Sequence, residues 1–246
     1  MGIGDWLMAT ADAKVVNEKH NVRVVFGNGE TQYWSEVFDN NPRIAKYLLP
    51  GERFAWIPNF PGHRPYIKSV DNKRFIYNPD FRATPGELYI NRHKKSDYIL
   101  IEPNVKQTWF MSKNKDWGFD NWKALVEKLD HKFIQVGQGK QKKLTNGSFR
   151  QTDTFLDALY WLAGAKLFIG TDGALHHAAA ALGIPAIVLW GGVASPVNLG
   201  YESHTNIWHG DEPCGTHSSK CQHCIDAMAK ISVEEVYETC KWHLAS

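Results

Sequence analysis

The sequence predicts an α/β protein built around a parallel sheet, and three observations point there. From residue 98 onward, short apolar or β-branched runs alternate with longer segments of helical periodicity, the pattern of strand-helix-strand units. Several of these runs end in glycines at which the next element starts at once. The length, 246 residues at 43% hydrophobic and 22% charged, suffices for one large domain or two of about 100 to 150 residues each, and it excludes fibrous, collagen-like and disordered chains.

Taken in order, Gly2 to Trp6 (GIGDW) reads as a glycine-rich turn opening a helix over residues 7–18, and residues 22–27 (VRVVFG) read as a strand. The next stretch, rich in Pro and Asn, offers only short extended pieces. The basic run Arg92, His93, Lys94, Lys95 reads as a solvated linker, which divides the chain into an N-terminal unit 1–95, a unit 96–230 and a C-terminal helix within 231–246. In the second unit, residues 98–103 are a strand, and Trp122, Leu125, Val126 and Leu129 repeat at helical spacing. Residues 133–137 form the next strand. A helix over 154–163 follows, with Thr152 or Asp153 near its cap. Residues 167–170 are a strand, 176–182 an alanine-rich helix stopped by Gly183 and Pro185, and 186–192 a strand ending in Gly191 and Gly192. The helix over 233–244 is expected to fold back on the first unit.

No run approaches the roughly 18 to 20 apolar residues of a membrane span, and no signal peptide is visible, so a cytoplasmic location is expected. Net charge is +2, distributed as +4 over residues 1–96 and −2 over 97–246, which permits an anionic partner without requiring one.

An open parallel sheet binds ligands at the carboxyl ends of its strands, so the turn at Gly170 to Ala174 is the richest candidate. Thr171, Asp172, Gly173 and Ala174 lead directly into the alanine-rich helix, whose first amides and dipole suit a phosphate or pyrophosphate, with His176 and His177 beside them. The plain alternative is a packing turn with a buried histidine. Asp5 can serve as a base toward a hydroxyl or simply cap its helix. Lys115 is a point charge for phosphate or a solvated lysine. Gly137 and the following Gly-Lys loop line a pocket or form a solvated hairpin. Cys214, Cys221 and Cys224, spaced C-x6-C-x2-C among His209, His217 and His223, can hold a structural zinc ion or simply pack.

Three segments, in this order, resemble glycosyltransferase family 9, the heptosyltransferase-like enzymes: GIGDWLMATADAKVV, KDWGFDNWKALVEKL and GTDGALHHAAAALGIPAIVLWGG. The resemblance runs from residue 2 to about residue 230, with Gly173 and Ala174 in place of the family's usual Thr or Ser and Gly, and Gly118 in place of the Pro after Trp117. It implies a GT-B-like fold of two facing Rossmann-like domains, the N-terminal one reduced and lacking the strand ahead of Gly2. It also implies inverting transfer of a sugar from a nucleotide-diphosphate donor to a hydroxyl of a cell-surface glycan, without a cofactor required for catalysis. Carried over by position, Asp5 matches the base, Lys115 the phosphate-contacting lysine, and Asp172 and His177 the donor-binding motif. Gly2, Gly4 and Trp6 are expected on the acceptor side, and Gly137, Thr171, Gly173, Ala174, His176, Gly191 and Gly192 on the donor side. A phage-type DNA glycosyltransferase acting on hydroxymethylated bases, a sugar-nucleotide epimerase, and a non-catalytic nucleotide-sugar binding protein remain open as alternatives.

Overall fold

The computed structural model describes residues 2–60, 62–104, 113–139, 141–145 and 147–245. The chain begins with helix α1 (Ile3–His20), closed by Asn21 in the left-handed conformation at φ 50°. Strand β1 (Arg23–Gly27) pairs in parallel with β2 (Phe54–Pro58), in register Arg23 to Phe54. A tight antiparallel hairpin of β3 (Ile67–Asp71) and β4 (Arg74–Tyr77) follows, turning through Asn72 and Lys73, both at positive φ.

The remainder is dominated by one sheet. Its elements in order are β5 (Ile99–Ile101), α2 (Phe119–Lys128), β6 (Phe133–Gly137), β7 (Ser148–Gln151), α3 (Phe155–Ala163), β8 (Leu167–Thr171), α4 (Ala174–Leu182), β9 (Ala186–Trp190), the short α5 (Pro196–Leu199), β10 (His204–Trp208), α6 (Gln222–Ala229) and α7 (Val233–Ala245). The six strands are all parallel, in the order β10-β9-β8-β5-β6-β7. The chain therefore winds outward from β5 to β7, returns to the other side of β5 and winds outward again. The doubly wound order places a switch point between β5 and β8, where connections leave in opposite directions and a crevice opens.

Alternate residues of each central strand face opposite layers. Leu100, Phe168, Val188 and Trp190 join one core with α1, α3 and α4. Ile99, Ile101, Ile169, Ile187 and Leu189 join a second core with α2, α6 and α7. Burial on both faces explains why these strands are continuous apolar runs rather than alternating ones. The first core also contains Val24, Phe26, Val37 and Phe38, so it runs on unbroken into the N-terminal half.

Four sequence expectations are corrected. The GIGDW segment is the first turn of α1, not a turn preceding it. The cap of α3 is Thr154, not Thr152 or Asp153. Thr154 Oγ1 accepts the Asp157 N–H at 3.2 Å, and Asp157 Oδ2 accepts the Thr154 N–H at 2.8 Å, a reciprocal pair. The strand after Pro185 stops at Trp190, ahead of both glycines. Helix α7 does not return to the N-terminal half: Val236 and Cys240 are buried against the second core with Trp122 and Leu125. The helix that joins the two halves is α1, which packs on α4.

Candidate functional site

The switch point opens on a cleft of about 780 Å³ between the N-terminal elements and the carboxyl ends of the large sheet. On the sheet side it is lined by Glu102 and Asn104 after β5, Gly137 at the end of β6 with Gln138 after it, and Thr171 to Leu175 from the end of β8 into the first turn of α4. Opposite them stand Gly2, Gly4 and Asp5 of α1, with Arg64, Tyr66, Phe75 and Tyr77. Asp5 and Asp172 thus face one shared hollow.

Asp5 is the third residue of α1, and its side chain is 9% exposed. Three donors converge on its carboxylate: the Gly2 N–H at 2.8 Å and Arg64 Nε at 3.1 Å on Oδ2, and the Tyr66 hydroxyl on Oδ1. Burial, followed by the Asp5 charge, pushes Tyr66 well above its ordinary value, so the phenol keeps its proton and donates. A carboxylate offers about four acceptor positions, so three donors leave room for one more partner. Capping the helix therefore leaves this carboxylate able to meet a further donor. Arg64 and Tyr66 were invisible in the sequence because they lie about sixty positions away in an irregular stretch.

Across the cleft, Lys115 Nζ bonds the Asp172 carboxylate and, at 3.2 Å, the Asp172 carbonyl. The two side chains are 14% and 6% exposed, a largely dry pair at the entrance to α4. The amides of Ala174 and Leu175 belong to the first turn of this helix, where no intrahelical acceptor exists.

The two histidines of α4 divide their work. His176 is fully buried: Nδ1 accepts the Gly173 N–H at 3.1 Å and Nε2 faces the Leu199 carbonyl at 3.2 Å. Burial lowers its pKa, which keeps the ring neutral, the form that accepts on one nitrogen and donates from the other. This corrects its placement on the donor side, since the side chain shapes the turn without lining the cleft. His177 does line the cleft, and its Nδ1 pairs with the Tyr201 hydroxyl at 2.7 Å. Burial, then the neighbouring His176, push its pKa well down. A Cβ on Gly4 would lie 2.8 Å from His177 Cδ2, so Gly4 permits the close approach of α1 to α4 rather than a turn.

Other expected residues fall elsewhere. Trp6 is not an acceptor-side group; it is buried edge-on against Phe26 and Phe38. Gly191 and Gly192 do not line the cleft. A Cβ on Gly191 would meet the Asn114 carbonyl oxygen at 2.6 Å, and one on Gly192 would meet His223 Nδ1 at 2.5 Å. The Gly137 loop does reach the cleft through Gln138 and Gln141, held by buried Gln135, which donates to the Lys142 carbonyl at 2.7 Å and accepts the Leu144 N–H at 2.9 Å. Lys140 of that loop lies outside the described residues.

Behind the cleft, Cys214, Cys221 and Cys224 gather with His223, all four potential ligand atoms within 4.8 Å of one another. Cys214 Sγ lies 3.2 Å from Cys224 Sγ and 3.8 Å from Cys221 Sγ. Thiolates about 2.3 Å from a tetrahedral ion stand roughly 3.8 Å apart, so this donor set fits a Cys3His metal centre. Hydrogen bonding from the Cys224 thiol, aided by Thr216, draws Cys214 down toward its thiolate, and the same shared proton holds Cys224 up. Of the three histidines that the sequence places among these cysteines, His223, beside Cys224, is the one that joins the group.

Residues 153–227 match the sequence model of glycosyltransferase family 9 (heptosyltransferase), a stretch that covers α3 through most of α6 and includes the Thr171 to Ala174 turn. Over the rest of the chain the fold is similar to that of solved structures. The iron-containing dodecameric glycosyltransferase TibC from enterotoxigenic E. coli H10407 superposes with TM-score 0.70 at 14% identity, covering 100% of this chain and 76% of TibC. A glycosyl transferase family 9 protein from Veillonella parvula DSM 2008 superposes with TM-score 0.62 at 10% identity, covering 100% of this chain and 95% of that one. E. coli ADP-heptose lipopolysaccharide heptosyltransferase II shares 19% identity at TM-score 0.47 over 62% of this chain; the aligned part is 48% of that enzyme, so this chain spans about half its length. No curated protein matches the chain in sequence. The family resemblance and the GT-B-like architecture expected from the sequence are borne out.

Proposed function

We propose that the protein is an inverting glycosyltransferase that moves a sugar, of the heptose class, from a nucleoside-diphosphate donor to a hydroxyl of a glycan acceptor. One observation carries this reading: Asp5 faces Lys115, Asp172 and the start of α4 across a single cleft at the sheet's switch point. TibC has been crystallised with ADP-D-beta-D-heptose, which supports an ADP-linked donor.

The donor diphosphate sits against the Ala174 and Leu175 amides, with Lys115 released in part from Asp172 to meet its charge. Asp5, steadied by Arg64 and Tyr66, accepts the proton of the acceptor hydroxyl as that oxygen forms its bond to the anomeric carbon. The bond from the anomeric carbon to the diphosphate oxygen breaks on the opposite face, and the nucleoside diphosphate leaves with the bonding pair. The two facing walls exclude water, whose attack on the donor is the competing reaction. Cys214, Cys221, His223 and Cys224 would hold one iron or zinc ion, which would supply a structural cross-link outside the reaction path.

The test is sugar transfer by Asp5→Asn, which keeps the side chain's size while removing its charge. Loss of a general base is expected to lower kcat by about 10²- to 10⁴-fold with little change in ADP affinity. Near wild-type transfer by this variant removes Asp5 from the mechanism. Failure of every nucleoside diphosphate in a panel to raise the melting temperature removes the donor assignment.

A further inference from the structure

The Cys214 loop touches both walls of the cleft. On the sheet side its partner is Asn114, fully buried and next to Lys115 in sequence. Asn114 Oδ1 accepts the Cys221 N–H at 2.9 Å, and Nδ2 donates to the carbonyls of Ser219 at 2.9 Å and Thr216 at 3.3 Å. One amide side chain thereby ties three points of the cysteine loop to the residue preceding the Lys115 that holds Asp172.

On the other wall the partner is the β3-β4 hairpin. The Phe75 N–H donates to the Gly215 carbonyl at 2.8 Å, and Arg74 bridges Thr216. Gly215 is at φ +65°, and a Cβ there would fall 2.0 Å from the Phe75 carbonyl oxygen, so only glycine permits this contact. The His217 ring stacks on Phe75 with centroids 4.0 Å apart, and the Arg64 guanidinium lies 5.5 Å above the same ring while its Nε holds Asp5. The loop itself hangs from the end of β9: the Cys214 N–H donates to the Gly192 carbonyl at 2.8 Å, and the Gly215 N–H to the Val193 carbonyl at 3.0 Å.

We infer that metal occupancy of the Cys214, Cys221, His223, Cys224 cluster and nucleotide binding in the cleft are coupled, each strengthening the other, with Asn114 and Phe75 as the positioning residues that carry the coupling. An ion drawing the four ligands together fixes the loop. The fixed loop holds Lys115 through Asn114 and Arg64 through Phe75, the groups that meet the diphosphate and steady Asp5. The ion never touches the donor. The inference rests on the functional reading above.

Binding linkage is reciprocal, so one factor must appear in two measurements. In the first, ADP affinity is measured for the metal-loaded and the chelator-stripped full-length protein. In the second, the metal affinity of the full-length protein is measured against a competing chromogenic chelator, with and without saturating ADP. Both ratios are expected near tenfold, within the usual range for coupled sites. Asn114→Ala is expected to keep one metal per chain while the ratio falls toward one and ADP affinity drops toward that of stripped protein. Phe75→Leu, which keeps apolar volume but loses the stacking, is expected to reduce the ratio in the same direction. Should Asn114→Ala fail to fold, the two wild-type ratios and Phe75→Leu still decide. Equal ADP affinity with and without metal, or equal metal affinity with and without ADP, overturns the inference and leaves the functional reading standing. A chain that binds no stoichiometric metal also overturns it alone, whereas a metal-loaded chain that binds no nucleoside diphosphate overturns both.

Discussion

The two halves of this molecule are stabilised by different physics. The C-terminal half surrounds its strands on both faces with apolar side chains, and Trp122, Ile99, Leu100, Phe168 and Trp190 are all fully buried. The N-terminal half has a two-stranded parallel sheet and a hairpin, fastened at its rim by polar clamps: Arg23 on Glu52, and Arg43 on Glu87, Asn17 and Glu18. The cleft lies between them. Its sheet side inherits the rigidity of a packed layer, while Asp5 opposite is steadied by two polar side chains from a loosely patterned segment. Substitutions in the first region should act on stability, and those around the cleft on binding and turnover.

The sharpest division comes from Trp122→Ala. Removing a fully buried indole from the second core should cost about 3–5 kcal/mol in denaturant unfolding. A loss below about 1 kcal/mol would mean that this layer is not what holds the half together. Next is Lys115→Met, at the cleft. Loss of its charge-assisted bonds should weaken ADP binding by an amount on the order of 1.5–3 kcal/mol, about 10- to 100-fold. Titration calorimetry that finds affinity unchanged takes Lys115 out of the donor site.

Acid sensitivity gives a third contrast. His204 is buried among aromatic rings, and burial, then His176, lower its pKa to about 3. Its contribution is fully present above the unfolded value near 6.5 and is lost progressively as pH falls toward 3, because the unfolded chain binds the proton first. At pH 5 the resulting loss is on the order of 1–2 kcal/mol. In His204→Phe the melting temperature should fall less steeply between pH 6.5 and 4 than in the wild type; an identical slope assigns the sensitivity to other groups. The smallest effect is expected for Arg43→Met at the N-terminal rim, where solvent screening should keep the loss below about 1 kcal/mol and leave ADP affinity unchanged. A collapse of folding there would erase the distinction between the halves.

Much of the sheet was legible in the sequence for the same reason that it is stable. β5, β6, β8 and β9 are central strands, and burial on both faces demands the apolar runs that the eye finds. The edge strands β7 (SFRQ) and β10 (HTNIW) are half-exposed, carry mixed residues and escaped notice. Helix α1 reads poorly as an amphipathic helix because α4 and the N-terminal core bury most sides of its first half, from Trp6 to Ala13. At the site, Asp5, Lys115 and Asp172 were found because each sits in a short motif beside a glycine or a helix start. Arg64, Tyr66 and Asn114 carry no such local mark, and the two glycines after β9 were misassigned because a glycine's motif does not say which neighbour approaches it.

Local chemistry alone determined the alternation of strands and helices, the helix start after Asp172 and the crowding of thiols near residue 220, since each depends on residues within a few positions of one another. Only the folded chain decided that α1 would lie on α4, that Arg64 and Tyr66 would hold Asp5, and that the cysteine loop would bridge both walls of the cleft. Those contacts join residues at least 59 positions apart, and their partners are chosen by packing of whole layers, which no local pattern encodes.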